Sequence, residues 1–237
     1  RLVGSEMCIR DRSELKVAGF TDRLGIAPGP ANGFTLDLIY SFEQFGELMD
    51  WAMIILNPLE PWPGRLCLKA AENAGIDILT RVVDYGGIFH GTMKPDHKFR
   101  DGDHRTYRPS GWVEEGLNRV DKMRSIIDKY DLSELHFSCL WNLSHAPVRS
   151  VVPTFIQEAG DDAKPIEDLV REYGSLPIES PFSQAEVDEI AAIGDNTGCM
   201  MLKGASNRHA ESLRPDEWPM RPELMELADR HGLGSEW

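Results

Sequence analysis

Gly75-Ile-Asp-Ile-Leu-Thr-Arg-Val-Val-Asp-Tyr-Gly-Gly-Ile-Phe-His-Gly91 is the stretch on which the fold turns. Gly75 reads as a helix stop, Ile76 to about Val83 as a strand, and Gly86 with Gly87 as a turn. The apolar run of Ile76, Ile78, Leu79, Val82 and Val83 is nearly continuous, which predicts a strand covered on both faces. A glycine pair lets the backbone turn or approach something closely. α/β proteins place their chemistry in loops of this kind, although an ordinary strand-to-loop joint has the same pattern.

Working outward, Leu24–Ala27 is a short strand candidate, followed by the rigid Pro28–Gly33 loop. A helix over 35–49 carries Leu38, Phe42, Phe45 and Met49 on one face. Ala52–Leu56 is a second strand. Pro63 suits the first turn of a helix that Gly75 ends. Beyond the opening stretch, a long polar segment over 88–111 holds His90, His97, His104 and several lysines and arginines. Loops of that length are usually functional or mobile. Trp112–Tyr130 keeps helical spacing, and 133–144 is a helix apolar nearly all round, hence buried. Ser150–Pro153 is a fourth strand. Helices follow from Pro165, from the capping box Ser183–Glu186 to Gly194, and over 222–231. A polar stretch with Cys199, Lys203 and Trp218 precedes the last of them.

Strand and helix therefore alternate four times before the closing helices, which is an α/β pattern with a parallel sheet. An open doubly wound sheet and part of a (β/α)8 TIM barrel both fit. No G-x-G-x-x-G follows any strand, so a Rossmann phosphate loop is unsupported.

The 237 residues carry a formal charge of −14, which argues against nucleic acid and anionic membranes as partners. No apolar run approaches the roughly 20 residues of a membrane helix. Four scattered cysteines, Cys8, Cys67, Cys139 and Cys199, suggest neither a disulfide framework nor a zinc knuckle, so a reducing, cytoplasmic setting is expected. Residues 1–12 have neither core nor signal-peptide pattern and resemble translated sequencing-adapter read-through; the domain is expected to span 13–237.

Three kinds of chemistry are conceivable for the polar residues. His97, Asp101, Asp103 and His104 could ligate zinc but lack a helical H-E-x-x-H spacing, so no metal is expected. No serine lies in G-x-S-x-G, and Cys67 and Cys139 read as core. The segment Thr154–Glu158, with Lys164 and the following helix start, could hold an anion, or Lys164 could merely balance Asp161 and Asp162. Arg81, near the end of a strand, must meet a ligand anion, solvent, or a carboxylate such as Asp77, Asp84 or Glu60.

The opening stretch resembles the seventh strand and loop of aldo/keto reductases, G-I-x-V-x-x-x-x-P-L-x-x-G-x-L-T-G. Ile54-Ile-Leu-Asn-Pro-Leu-Glu-Pro61 is similar to their sixth-strand Q-x-x-Y-N-x-L-x-P, and Leu24–Ala27 to their fifth-strand G-V-S. Tyr107-Arg-Pro-Ser-Gly-Trp-Val-Glu114 opens a helix as in some members, and Leu132–Pro153 resembles L-A-L-A-W-L-L followed by S-V-I-P. The resemblance spans about residues 20–195. It implies the C-terminal half of a (β/α)8 barrel that reduces an aldehyde or ketone with NADPH. The family's catalytic tyrosine, aspartate, lysine and histidine sit on its first four strands, so none is assigned here and the chain alone is expected to be inactive.

The resemblance also places cofactor-binding positions. Ala27 and Pro28 stand for the usual Ser-Asn pair and Met53 for the usual Gln, both of which hold the nicotinamide amide. Arg81, with Val82 after it, stands where an aromatic stacks on the nicotinamide. Thr154, Phe155, Gln157, Lys164 and Glu167 lie where the adenosine phosphate end would rest. These departures leave open a non-catalytic nucleotide-binding or regulatory protein on the same barrel. A metal-dependent hydrolase barrel is a third reading. Half a barrel has two open edges and a half-exposed interior face, so aggregation or dimerisation is expected.

Overall fold

The computed structural model describes residues 11–28, 35–160, 163–197 and 222–233. Residues 1–10, most of the Pro28–Gly33 loop, Asp161, Asp162, and the stretch with Cys199, Lys203 and Trp218 lie outside them. In chain order the elements are helix α1 (11–17), β1 (Gly25–Ile26), α2 (Thr35–Phe45), β2 (Trp51–Ile55) and α3 (Leu68–Ala74). Then come β3 (Asp77–Arg81), α4 (Trp112–Lys129), α5 (Glu134–Leu143), β4 (Val148–Val152), α6 (Ile166–Gly174), α7 (Gln184–Ile193) and α8 (Pro222–Arg230).

The strands form one sheet in the order β1-β2-β3-β4, every neighbouring pair parallel. Gly75 ends α3 in the left-handed region at φ 68°, where a side chain would be strained. Its N–H donates to Glu72 O, and the Ile76 N–H reaches Ala71 O, a Schellman closure that sends the chain directly into β3.

The expectation of a strand covered on both faces is corrected. Ile78 and Thr80 are fully buried, whereas Asp77, Leu79 and Arg81 are only half-buried. The apolar run misled because Ile76, Val82 and Val83, all buried, flank the strand rather than belong to it. In register, Met53, Leu79 and Ser150 form one row and Ile55, Arg81 and Val152 the next, on the less covered face. Of the second row, Ile55 is buried while Val152 is exposed.

The covered face carries the core. Helix α5 is buried as expected: Leu135, Phe137, Cys139, Leu140 and Trp141 are wholly enclosed. So are Ser138 and Asn142, whose donor groups each find a partner. The Ser138 hydroxyl donates to Val83 O, tying α5 to the turn after β3, and Asn142 Nδ2 donates to Ser138 O at 2.9 Å. Trp141 Nε1 donates to Val187 O at 3.1 Å and fastens α7 behind α5. The Ser183–Glu186 capping box forms as read, with both reciprocal bonds.

Candidate functional site

The C-terminal ends of the strands bring three loops together. After β2, Asn57 is fully buried. Its Oδ1 accepts from Leu59 N at 2.9 Å, and its Nδ2 donates to Glu60 Oε2 at 2.9 Å and to Val82 O at 3.1 Å. Asn57 thus shapes its own turn and pins the neighbouring one. The pinned residue, Val82, sits at φ 59°, and Tyr85 at φ 50°. Each such residue costs about 1–3 kcal/mol and persists only where its surroundings over-determine it.

The glycine pair then does what its chemistry allows. At Gly86 (φ 72°) a Cβ would lie 2.5 Å from the Arg108 guanidinium, so the backbone approaches that side chain as only glycine permits. Arg108 Nη1 donates to Tyr85 O at 3.1 Å, and Arg105 Nη1 donates to Gly86 O at 3.0 Å. Arg105 is fully buried and all its N–H groups are engaged. It bridges Asp103, at 2.7 and 3.1 Å, and Glu158, at 2.5 and 3.0 Å. The hydrogen bonds from Arg105 hold the Asp103 carboxyl down at about 2. Burial pulls the Arg105 guanidinium down, but the Glu158 and Asp103 bonds outweigh it and its affinity for the proton rises. His97 Nε2 lies 3.1 Å from Glu158 Oε2 and closes the cluster.

Four planar groups stack beside it. Arg105 lies 4.5 Å from the Phe99 ring, Phe99 stacks on Trp112 at 5.7 Å, and Arg108 lies 4.2 Å from the Trp112 ring. These groups line a cleft of about 250 Å³ at the start of α4. Burial lowers the pKa of Arg108. Beneath the loop, His90 Nε2 approaches Asp84 Oδ2 at 3.0 Å, both side chains sealed from solvent.

The assigned positions run along this edge in strand order. Ala27 is exposed and Pro28 half-buried just after β1; Met53 lies within β2 and Arg81 at the end of β3, both half-buried. Burial lowers the pKa of Arg81. After β4, Thr154 is exposed and Phe155 packs edge-on against Tyr173 at 5.5 Å. Gln157 Oε1 accepts the Ile166 N–H at 3.1 Å, satisfying a donor at the start of α6. Lys164 pairs with Glu172, Asp161 and Asp162 lying outside the described residues, and Glu167 is exposed in the first turn of α6.

Reading by type had missed Asn57, Arg105 and Glu158 as a connected set. The Asp103-x-Arg105 spacing was the available signal; Glu158 lies too far along the chain to be paired by eye.

The arrangement can bind and position, and the described residues hold no built nucleophile. Burial pushes the Cys67 and Cys139 thiols up to about 12. No group of three or more His, Cys, Asp and Glu among the described residues is placed to hold a metal. His97 and Asp103, proposed ligands of the hydrolase reading, face Glu158 and Arg105 instead. No helix among the described residues is long and apolar enough to cross a membrane.

No family model and no curated protein matches the sequence. Solved structures do match. The glycerol dehydrogenase AKR11B4 of Gluconobacter oxydans superposes with a TM-score of 0.62 at 17% identity, over 89% of this chain and 57% of the dehydrogenase. The aldo-keto reductase AKR11C1 of Bacillus halodurans, in its apo form, matches with a TM-score of 0.53 at 13% identity, over 86% of this chain and 59% of that one. The holo form gives 0.50 at 13% identity, with 58% of its chain covered. The chain therefore spans less than two thirds of the length of these structures, and over that span it has the fold of aldo-keto reductases.

Proposed function

We propose that this chain is the cofactor-holding, C-terminal half of a barrel oxidoreductase of aldo-keto reductase type, acting on an aldehyde or ketone in the cytoplasm. The observation that carries the reading is the fold: four parallel βα units matching 57–59% of two such reductases, with three cross-braced loops at the strands' C-terminal ends. The tyrosine, aspartate, lysine and histidine of the chemistry would lie on preceding strands of a longer parent.

A bound nicotinamide dinucleotide would supply the hydride. The residues here would hold it along the strand ends. At the nicotinamide end, Arg81 offers a planar guanidinium for a ring face. The side chains of Ala27 and Pro28 offer the carboxamide no donor, and the Met53 thioether is only a weak acceptor. Orientation there would rest on backbone groups and on Arg81. The loop network of Asn57, Arg105 and Glu158 keeps the neighbouring turns rigid, as a positioning surface requires.

The test is direct. The parent gene should encode the four catalytic residues on barrel strands, and its product should bind reduced nicotinamide dinucleotide, read by cofactor fluorescence, and reduce simple aldehydes. No binding at millimolar cofactor ends the proposal. A second reading, a cofactor-binding protein without turnover, is favoured by the replaced residues Ala27, Pro28, Met53 and Arg81. A parent that binds the cofactor but leaves aldehydes unchanged selects it.

A further inference from the structure

We infer that the nucleotide end of this chain selects a dinucleotide without a 2′-phosphate, and that the Lys164–Glu172 pair sets this preference. The inference rests on the nucleotide reading above, which puts the adenosine beside the segment after β4.

A 2′-phosphate brings nearly two negative charges and needs a cation to receive it. Among the described residues between Thr154 and Tyr173, Glu158, Glu167, Asp168 and Glu172 stand against Lys164 and Arg171. Both cations face carboxylates of the same segment, Lys164 with Glu172 and Arg171 with Asp168. Two groups of the 97–108 loop meet this segment, both at Glu158. Arg105 has each of its N–H groups on Asp103, Glu158 or Gly86 O, and His97 lies against Glu158. Arg108 is buried over Trp112 with Nη1 on Tyr85 O. At the start of α6 the Ile166 N–H, a natural anion donor, is already taken by Gln157.

A phosphate arriving here would have to break an ion pair and leave a carboxylate uncompensated beside it. Burial raises the pKa of Glu172, but its Lys164 hydrogen bond outweighs this and keeps the carboxyl low, so the group stays charged. A ribose hydroxyl meets no such barrier. It can donate to an exposed carboxylate such as Glu167, in the first turn of α6. The NADPH that the sequence resemblance implies is therefore the poorer fit, and NADH the better one.

The experiment is calorimetric titration of the full-length parent protein with ADP-ribose and with its 2′-phosphorylated counterpart. ADP-ribose should bind at least about tenfold more tightly. Equal or tighter binding of the phosphorylated compound overturns the inference and leaves the nucleotide reading standing. If neither binds at millimolar concentration, the nucleotide reading falls and takes the inference with it. Glu172→Gln, which releases Lys164, should raise affinity for the phosphorylated compound several-fold and leave ADP-ribose within about twofold. An unchanged ratio overturns the role given to the pair.

Discussion

The loops after β3 and β4 are built in opposite ways. The turn after β3 is buried, holds two non-glycine residues at positive φ, and is braced by Asn57 and two arginines reaching its carbonyls. The described residues after β4 are exposed or half-buried and held by ion pairs near the surface, such as Lys164–Glu172. Glu158 is where they meet, since it leaves the second loop to close the first. Removing one charge should therefore cost very different amounts in the two places.

The largest effect is expected for Arg105→Ala. It leaves Asp103 and Glu158 without their shared cation and should cost about 3–5 kcal/mol by urea unfolding. A loss below about 1 kcal/mol would mean that water serves the cluster equally well, and the contrast between the loops would collapse. Asn57→Ala should follow at about 2 kcal/mol by the same measurement, because Val82 O, Leu59 N and Glu60 all lose a buried partner. It should also release Val82 from its left-handed conformation, visible as faster amide exchange over 82–87.

Acid should separate the loops next. Asp103 has its pKa depressed in the folded state, to about 2 against an ordinary value of about 3.9. Its contribution is complete above the ordinary value and is lost as pH falls through about 2. Wild type should lose this part of its stability between those limits, and Asp103→Asn should show a flatter acid limb in melting temperature against pH. The smallest effect is expected at the surface pair: Glu172→Gln should change stability by less than about 1 kcal/mol while shifting nucleotide preference.

What the sequence disclosed follows from which forces are local. Helices α4, α5 and α7 were legible because periodicity and the Ser183 capping box act within a few residues. Gly75 and Gly86 announced a chain reversal and a close approach, and both are found. The covering of β3 was misread because apolar residues flanking a strand look the same in a string as those within it. The site's framework was illegible for a different reason. Asn57 meets Val82 across 25 positions and Arg105 meets Glu158 across 53, and no local preference marks either pairing. Likewise Lys164 meets Glu172 across the length of α6, a pairing that no neighbour in sequence announces.

The two arginines on consecutive carbonyls, Arg108 on Tyr85 and Arg105 on Gly86, bear on how this fold can change. The shape of the glycine turn is written some twenty positions downstream and completed by Glu158. Transplanted alone into another barrel, the 75–91 stretch would arrive without the guanidinium groups that cap its carbonyls. Recombination or design should treat 82–91, 103–108 and Glu158 as one heritable unit, separated in the gene and inseparable in exchange.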